Sequence, residues 1–290
     1  MVYCKTAVYC RKTIKMRIIA DSGSTKTEWA IQGDDGKWIR LVTQGLNPRV
    51  TSDAQFREVL GGIKKGLSTY FMPCPGTDYL SLSFYGAGCG TLEMQQHVEG
   101  LLREIFPEAE IEVAGDLLGA CRAVSDGKSG VVGILGTGSN ACLFDGKHIV
   151  RQVTSTGYIL GDEGSGNHIG RRLLKDFLTD RMPAELASEM NTTKEESMKR
   201  IYGGEYPNRY MASFSPVAYK YRKTEYVRNL LQEVFEAFWR EMVCPIADGG
   251  SVRLVGSVAD AFQDEIRTTA PKEFQIERIV KSPIDCLIEK

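Results

Sequence analysis

IIADSGSTKT, residues 18–27, joins a short apolar run to an acid, Asp21, and then to a group of small residues. The apolar run predicts a buried β-strand that ends at Asp21. Gly23, Ser24 and Thr25 have small side chains, so their backbone N–H groups can approach phosphate oxygens closely. The stretch therefore predicts a phosphate-binding loop without Walker spacing, and an ordinary hairpin turn is the alternative interpretation. If phosphate binds here, we expect Asp21 to position Mg²⁺ through water, because that ion keeps much of its hydration.

The same strand-loop-strand arrangement recurs far along the chain. Residues 130–135 form an apolar run, GTGSN occupies positions 136–140, and a further strand is predicted from Ala141. Alone, GTGS is a weak signal that more often marks a plain turn. Two such loops in matching contexts can hold one polyphosphate between them, so the pair carries the prediction rather than either member.

Strand and helix patterns alternate along the rest of the chain. The predicted strands are residues 28–32, 37–43, 79–84, 111–113, 130–135, 141–144, 149–153 and, as the last, 252–255; the predicted helices are 52–60 and beyond, 91–106, 171–178, 192–201 and 225–243. This alternation predicts an α/β fold with parallel strand pairing, to which the initial hairpin adds antiparallel strands.

Length and composition narrow the class of protein. The chain has 290 residues, 42% hydrophobic and 25% charged, which is enough to bury sizeable cores in two lobes. Lys and Arg total 36 against 37 Asp and Glu, so no excess charge is available to hold nucleic acid or an acidic membrane. The apolar runs are too short to span a bilayer, and residues 1–15 lack the apolar segment of an export signal. We expect a cytoplasmic protein.

Cysteine and histidine are present without the spacing of a metal site. The eight cysteines include no CxxC pair, and the three histidines are scattered. This pattern is unlike a disulfide framework or a zinc site, so we expect reduced thiols and no protein-ligated transition metal.

Five short motifs together resemble a known family. They are DSGSTKTEW (21–29), AGDLLGACRA (114–123), GTGSN (136–140), GYILGDEGSG (157–166) and LVGSVA (254–259). Their order is that of the N-acetylglucosamine kinases and the BadF/BadG/BcrA/BcrD ATPases, and the resemblance runs from about Met16 to the C-terminus. It implies two ribonuclease-H-like lobes of the actin-like ATPase type, with a nucleotide cleft between them. The lobes would be residues 16–114 and 115–290, preceded by an extension of doubtful structure at 1–15, and the last helix would pack back on the first lobe.

The resemblance also implies the activity and the residues that perform it. The chain would phosphorylate an amino sugar, in the first place N-acetylglucosamine, with ATP and Mg²⁺, and would form a homodimer. Asp116 would be the general base. The implied nucleotide-binding residues are Gly23, Ser24, Thr25, Lys26, Gly136, Thr137, Gly138, Ser139, Gly256, Ser257 and Ala259, and the implied sugar-binding residues are Asn47, Gly86, Asn140, Gly157, Tyr158, Asp162 and Glu163.

Three of these assignments, those of Asp116, Asp162 and Asn47, have a purely structural alternative. Asp116 is equally suited to capping the following helix, and Asp162 to a capped turn. Asn47 precedes a proline and is as good a turn former as a sugar ligand. Tyr158 stands where relatives carry Trp after the glycine, which changes the surface available for stacking on a sugar.

Two other functions compete with the kinase. An activator ATPase of radical dehydratases shares the phosphate loops but ligates an iron–sulfur cluster through cysteine, and here Cys89 lacks the expected cysteine-glycine-threonine-glycine element. A sugar or nucleotide sensor would keep the cleft without turnover. Asp21, Asp116 and Asp162 favour catalysis, and residues 1–15 are too short for a helix-turn-helix.

Overall fold

Two five-stranded mixed sheets dominate the computed structural model, which describes residues 15–33, 35–70 and 79–290. The first sheet consists of β1 (Lys15–Ser22), β2 (Lys26–Gln32), β3 (Trp38–Gln44), β4 (Tyr79–Gly86) and β5 (Ala109–Gly115). The second consists of β6 (Gly130–Leu135), β7 (Ser139–Phe144), β8 (Ile149–Gln152), β9 (Gly250–Val255) and β10 (Phe274–Val280).

The two sheets have the same topology. The order is β3-β2-β1-β4-β5 in the first and β8-β7-β6-β9-β10 in the second. In each, the first three strands form an antiparallel meander and the last two run parallel to the first. The predicted repetition of a strand-loop-strand unit is therefore confirmed, and so is the α/β class with two actin-like lobes.

Helices connect strands within each sheet, join the two sheets, form the insertion between β8 and β9 and follow β10. They are α1 (Asp53–Tyr70), α2 (Leu92–Ile105), α3 (Asp116–Val124), α4 (Gly157–Leu160), α5 (Gly166–Leu178), α6 (Ala184–Ser188), α7 (Lys194–Gly203), α8 (Pro207–Ala212), α9 (Ser215–Tyr221), α10 (Glu225–Phe238), α11 (Ser257–Ala261), α12 (Gln263–Thr268) and α13 (Ile284–Leu287). A π-helical turn, Trp239–Val243, extends α10. As predicted, Ser52 precedes α1, and its hydroxyl accepts a hydrogen bond from the Gln55 N–H at 3.3 Å.

The core consists of three hydrophobic clusters, of which one joins the two halves. One lies under α1 and α2 and one under the insertion helices α5 to α10. The third is built around α3 and α13 and takes side chains from both sheets, among them Ile19 of β1 and Val132 of β6. Helix α13 also packs against β1 and β2, so the C-terminus returns to the first sheet.

The structure departs from the sequence-based element predictions at three places. The strand predicted as the last, 252–255, is followed by β10, which pairs in parallel with it. An edge strand of sequence FQIERIV mixes charged with apolar residues, and this weakens the strand signal. Lys15, assigned to the extension, is the first residue of β1, while residues 1–14 lie outside the described part of the chain. The short helices α6, α8, α9 and α13 were not among the predicted helices, because each is too short to show a helical period of apolar residues.

No helix in the described part of the chain is both long and apolar enough to cross a bilayer.

Candidate active site

The site is built at one edge of the first sheet, where three parallel strands end together. Ser22 of β1 pairs with Gly86 of β4, and Gly86 pairs with Gly115 of β5. Asp21 therefore lies at the end of β1, and Asp116 begins α3 directly after β5. Two strand spacings, about 10 Å, separate β1 from β5. The fold thus brings together two acids that lie in separate motifs of the sequence.

Asp21 and Asp116 share a crowded, acidic environment. Burial raises the pKa of Asp21 to about 7, with further contributions from the negative charges of Asp116 and Glu28 against the opposing effect of Lys26. Glu28 faces Asp21 because the two residues are paired across β1 and β2. Burial raises the pKa of Asp116 to about 6, although hydrogen bonds from its own N–H and from that of Leu117, at 2.9 Å, lower it. Gly115, not Asp116, occupies the N-cap position of α3.

A hydrated Mg²⁺ fits this acidic group. Carboxylates whose pKa values are raised by burial, and in Asp21 also by neighbouring negative charges, gain from a nearby divalent cation. Within the residues described, no three acidic, histidine or cysteine side chains come close enough to hold a metal directly. A water-mediated contact from Asp21 is compatible with both observations.

Residues 23–26, called loop 1 from here on, form a tight turn that is stabilised by hydrogen bonds to the neighbouring backbone. The Gly23 N–H donates to the carbonyl of Lys26 at 2.9 Å. Ser22 and Thr27 flank the turn, join their hydroxyls at 2.8 Å, and both accept from the Leu46 N–H. A Cβ on Gly45 would lie 2.4 Å from the Gly23 carbonyl oxygen, so only glycine fits at that position.

Asn47 lies against loop 1 and is buried. Its Nδ2 donates to the Ser24 hydroxyl at 3.1 Å, and its Oδ1 accepts from the Arg49 N–H at 3.0 Å. A Cβ on Gly88 would meet Asn47 Oδ1 at 2.2 Å, and one on Gly86 would meet the Phe84 ring at 2.5 Å. Asn47 therefore acts as a turn former and as a brace of the loop.

Lys26 has a partner outside loop 1. Its ammonium pairs with the Glu28 carboxylate, two residues further along β2. The charge of Lys26 also lowers the pKa of Asp21. The positive charge of Lys26 thus partly offsets the negative charges of Asp21 and Glu28.

Residues 136–139, called loop 2 from here on, are held by the segment that leads into α5. The Gly136 N–H donates to the Gly138 carbonyl at 2.9 Å. The carbonyls of Gly136 and Thr137 accept from the N–H groups of Gly166 and Asn167, at 2.8 and 3.0 Å. The motifs at 136–140 and 157–166 therefore form one unit.

Gly256, the first residue of the LVGSVA turn after its strand, touches the same unit. Its φ is +119°, and a Cβ there would lie 2.3 Å from the carbonyl oxygen of Leu135, directly before loop 2. Ser257 then begins α11, and Ala259 is buried within it. This predicted adenosine turn is thus adjacent to loop 2.

Asp162 faces loop 2. Its Oδ1 accepts from the Ser139 N–H at 3.2 Å, and a Cβ on Gly138 would lie 2.9 Å from its Oδ2. The backbone of Asp162 is left-handed, with φ +61°, and burial raises the pKa of its carboxyl to about 6. The neighbouring Glu163 accepts a bond from the Ser139 hydroxyl through its backbone carbonyl, at 2.7 Å.

Three further residues predicted to bind sugar, Asn140, Gly157 and Tyr158, make other contacts. Asn140 accepts from the Ala141 N–H at 2.9 Å through Oδ1. Gly157 begins α4 with φ +74°. The Tyr158 carbonyl accepts from Asn167 Nδ2 at 2.9 Å and from an Arg171 Nη1 at 3.0 Å, so this segment is tied to α5.

Two contacts join the halves of the site. The hydroxyls of Thr25 in loop 1 and Thr137 in loop 2 are 2.9 Å apart. Arg209 of α8 donates from Nη2 to the Ser24 carbonyl. The first pair belongs to motifs found in the sequence. Arg209 was not identified from the sequence. It lies in a short helix that contains no recognisable motif, so its contact with loop 1 is apparent only from the tertiary structure.

Comparison with known proteins agrees with this architecture. The model of the BadF/BadG/BcrA/BcrD ATPase family matches residues 20–288. No curated protein matches the chain significantly. The putative N-acetylglucosamine kinase of Porphyromonas gingivalis is 34% identical in sequence, with a TM-score of 0.81 over 94% of this chain and 97% of that one.

Two more distant solved structures share the fold alone. The putative N-acetylglucosamine kinase of Chromobacterium violaceum is 19% identical, with a TM-score of 0.65 over 96% of this chain and 99% of that one. The glucokinase of Balamuthia mandrillaris, solved with glucose, is 10% identical, with a TM-score of 0.52 over 97% and 94% of the two chains. Since the family model covers nearly all of the sequence, the chain belongs to the BadF/BadG/BcrA/BcrD ATPase family.

Proposed function

We propose that this protein is an ATP-dependent kinase that phosphorylates an amino sugar, N-acetylglucosamine in the first place. The observation that carries the proposal is Asp116, the first residue of α3, whose carboxylate is close enough to Asp21 to raise the pKa of that residue and whose own pKa is raised to about 6. A general base works best when its pKa lies near the working pH, because it is then both ionised and able to take a proton.

Loops 1 and 2 would hold the phosphates of ATP between them. Their N–H groups and hydroxyls supply donors, and the Thr25–Thr137 contact supports a shared ligand because it brings the two loops within hydrogen-bond distance. The adenosine would lie against residues 256–259, next to loop 2. Asp21 would hold hydrated Mg²⁺, which neutralises charge on the transferring phosphate.

The acceptor sugar would lie beside Asn47, Asp162 and Asp116. The Asp116 carboxylate orients one sugar hydroxyl towards the terminal phosphate and accepts its proton as the new oxygen–phosphorus bond forms. The bond between that phosphorus and the bridging oxygen of ATP breaks in the same step, and ADP leaves with the bridging oxygen. One carboxylate oxygen of Asp162 accepts a hydrogen bond from the Ser139 N–H, and the other would accept one from a sugar hydroxyl. Contact between the loops excludes water from the cleft, which limits wasteful hydrolysis of ATP.

A cytoplasmic location and a homodimer are part of this proposal. In support of the first, the cysteines in the described ranges, Cys89, Cys121, Cys142, Cys244 and Cys286, are free thiols. The second rests on the family resemblance, and sedimentation of the purified protein would test it.

The proposal is tested by a coupled ADP-release assay with MgATP against amino sugars and plain hexoses. We expect release that depends on one amino sugar, and the product, isolated and analysed by mass spectrometry, identifies the phosphorylated sugar. Release that ignores every sugar would instead indicate an ATPase that serves a partner protein. Binding of sugar and nucleotide without any release would indicate a sensor.

A further inference from the structure

Arg209 reaches across the cleft from the insertion helices to loop 1. It lies on α8, which packs against α5, the helix whose first residues bind the carbonyls of loop 2. From there its Nη2 donates to the carbonyl of Ser24. The guanidinium therefore contacts loop 1 directly, while the helix that carries it packs on the helix that binds loop 2.

The Arg209 side chain is held in place before any ligand arrives. Its guanidinium carbon lies 4.0 Å from the centre of the Tyr206 ring, a stacking contact between a cation and an aromatic face. The Arg209 N–H donates to the Tyr206 carbonyl at 3.0 Å, at the start of α8. A guanidinium fixed in this way loses little conformational entropy when it binds a further group.

The positive charge of Arg209 lacks an acidic partner in the part of the chain that the structure describes. Its Nε is buried without a hydrogen bond, and its Nη1 makes none within the same ranges. Burial lowers its pKa, and Tyr206 alone opposes this. By contrast, Arg253, at 4% exposure, pairs with Glu277 at 2.6 Å. Arg209 itself is only partly buried and lines a cavity together with Arg200, Glu196 and Glu205. Because its guanidinium has no acidic partner among the described residues and is partly accessible, it is able to bind an anionic ligand that enters this cavity.

We propose that Arg209 is a ligand of the ATP polyphosphate, supplied across the cleft, and that the same residue holds loop 1 closed over the bound nucleotide. This inference rests on the proposed use of ATP. Arginine suits the role because its planar fork presents several N–H groups to phosphate oxygens at once. One terminal nitrogen then keeps the Ser24 carbonyl while the other binds phosphate.

The test compares the affinities of ATP, ADP and adenosine for wild-type protein, Arg209→Ala and Arg209→Lys, by calorimetry with Mg²⁺ present. We expect Arg209→Ala to weaken ATP binding at least tenfold and to leave adenosine binding within twofold. Arg209→Lys should recover part of the loss, because lysine supplies charge without the fork. Steady-state kinetics should show a higher KM for ATP and a lower kcat, with the KM for the sugar unchanged.

The matched control is Arg200→Ala. Arg200 lines the same cavity of about 620 Å³ and stacks on Tyr210 at 4.4 Å, yet it makes no contact with loop 1. It should leave all three affinities unchanged. Equal losses for ATP and adenosine in Arg209→Ala would mean a merely structural role and overturn the inference, as would no loss at all. A wild-type protein that binds ATP but phosphorylates no sugar would refute the proposed kinase while leaving this test decisive.

Discussion

Thr25 and Thr137 lie 112 positions apart in the sequence, and their hydroxyls share a hydrogen bond of 2.9 Å. Each belongs to the loop after the first strand of its own sheet, and the two sheets have the same strand order. The contact is therefore one of the points at which the two repeats of the fold meet. A ligand that binds both loops must lie beside it.

Replacing Asp116 by Asn should remove the proposed base while keeping the shape of the side chain. We expect kcat to fall by about 10²- to 10⁴-fold, with the KM values for ATP and sugar changed only a few-fold. Steady-state kinetics measure this. Glu110→Gln, an exposed acid on the strand that leads to Asp116, is the control and should be silent. Unaltered turnover in Asp116→Asn would remove the residue from the mechanism.

The same substitution should stabilise the ligand-free protein above pH 6. Folding raises the pKa of Asp116 from 3.8 to about 6, so the folded state binds more protons in this window and loses stability as the pH rises through it. Asn has no such penalty. We expect Asp116→Asn to raise the free energy of unfolding at pH 7.5 by about 1 kcal/mol, since water in the cleft screens part of the effect. Near pH 4, thermal scans without Mg²⁺ should show little difference between the two proteins.

Two substitutions at Asp162 should separate its contacts. Asp162→Asn keeps an oxygen for the Ser139 N–H but loses the second acceptor, so the KM for sugar should rise about tenfold while that for ATP stays nearly constant. Asp162→Ala removes both acceptors and should raise both KM values. If Asp162→Asn instead affects ATP alone, the residue serves loop 2 and does not bind sugar.

Gly45→Ala should damage loop 1 through a steric clash. The new Cβ would lie 2.4 Å from the Gly23 carbonyl oxygen and 2.6 Å from the Ser24 carbonyl carbon, so the loop must move. We expect nucleotide affinity to fall at least tenfold, as measured by calorimetry. Gly61→Ala is the matched control: a Cβ there meets nothing within 4 Å in the middle of α1. That change should stabilise the protein by about 0.5–1 kcal/mol without affecting nucleotide binding.

Much of the site could be predicted from sequence because its parts are local. A strand followed by small residues is visible at 18–27 and again at 130–140, and the alternation of elements around them indicates an α/β fold. The five motifs in order then indicate the family. Such signals depend on neighbours in the chain, and hence survive without knowledge of the tertiary structure.

Other features depend on contacts between distant segments. The pKa of Asp21 rises in part because of the negative charge of Asp116. Asp21 lies on β1 and Asp116 follows β5, with β4 between these strands, and no pattern in either motif encodes their proximity. Asp162 is predicted to contact sugar, and the hydrogen bond from the Ser139 N–H to its carboxylate became visible only in the folded structure. The edge strand β10 was missed because its charged residues weaken the apolar period.

The sequence by itself therefore determined the class of fold and the family, and it supplied the acids and small residues that we propose to line the cleft, because periodicity and short motifs are properties of the local chain. Only the tertiary structure decided which groups share an electrostatic environment. The tertiary structure also revealed the contact of Arg209 with Ser24, which lies 185 positions away in the sequence. Burial and charge act through space, and their effects become defined only once the chain has folded.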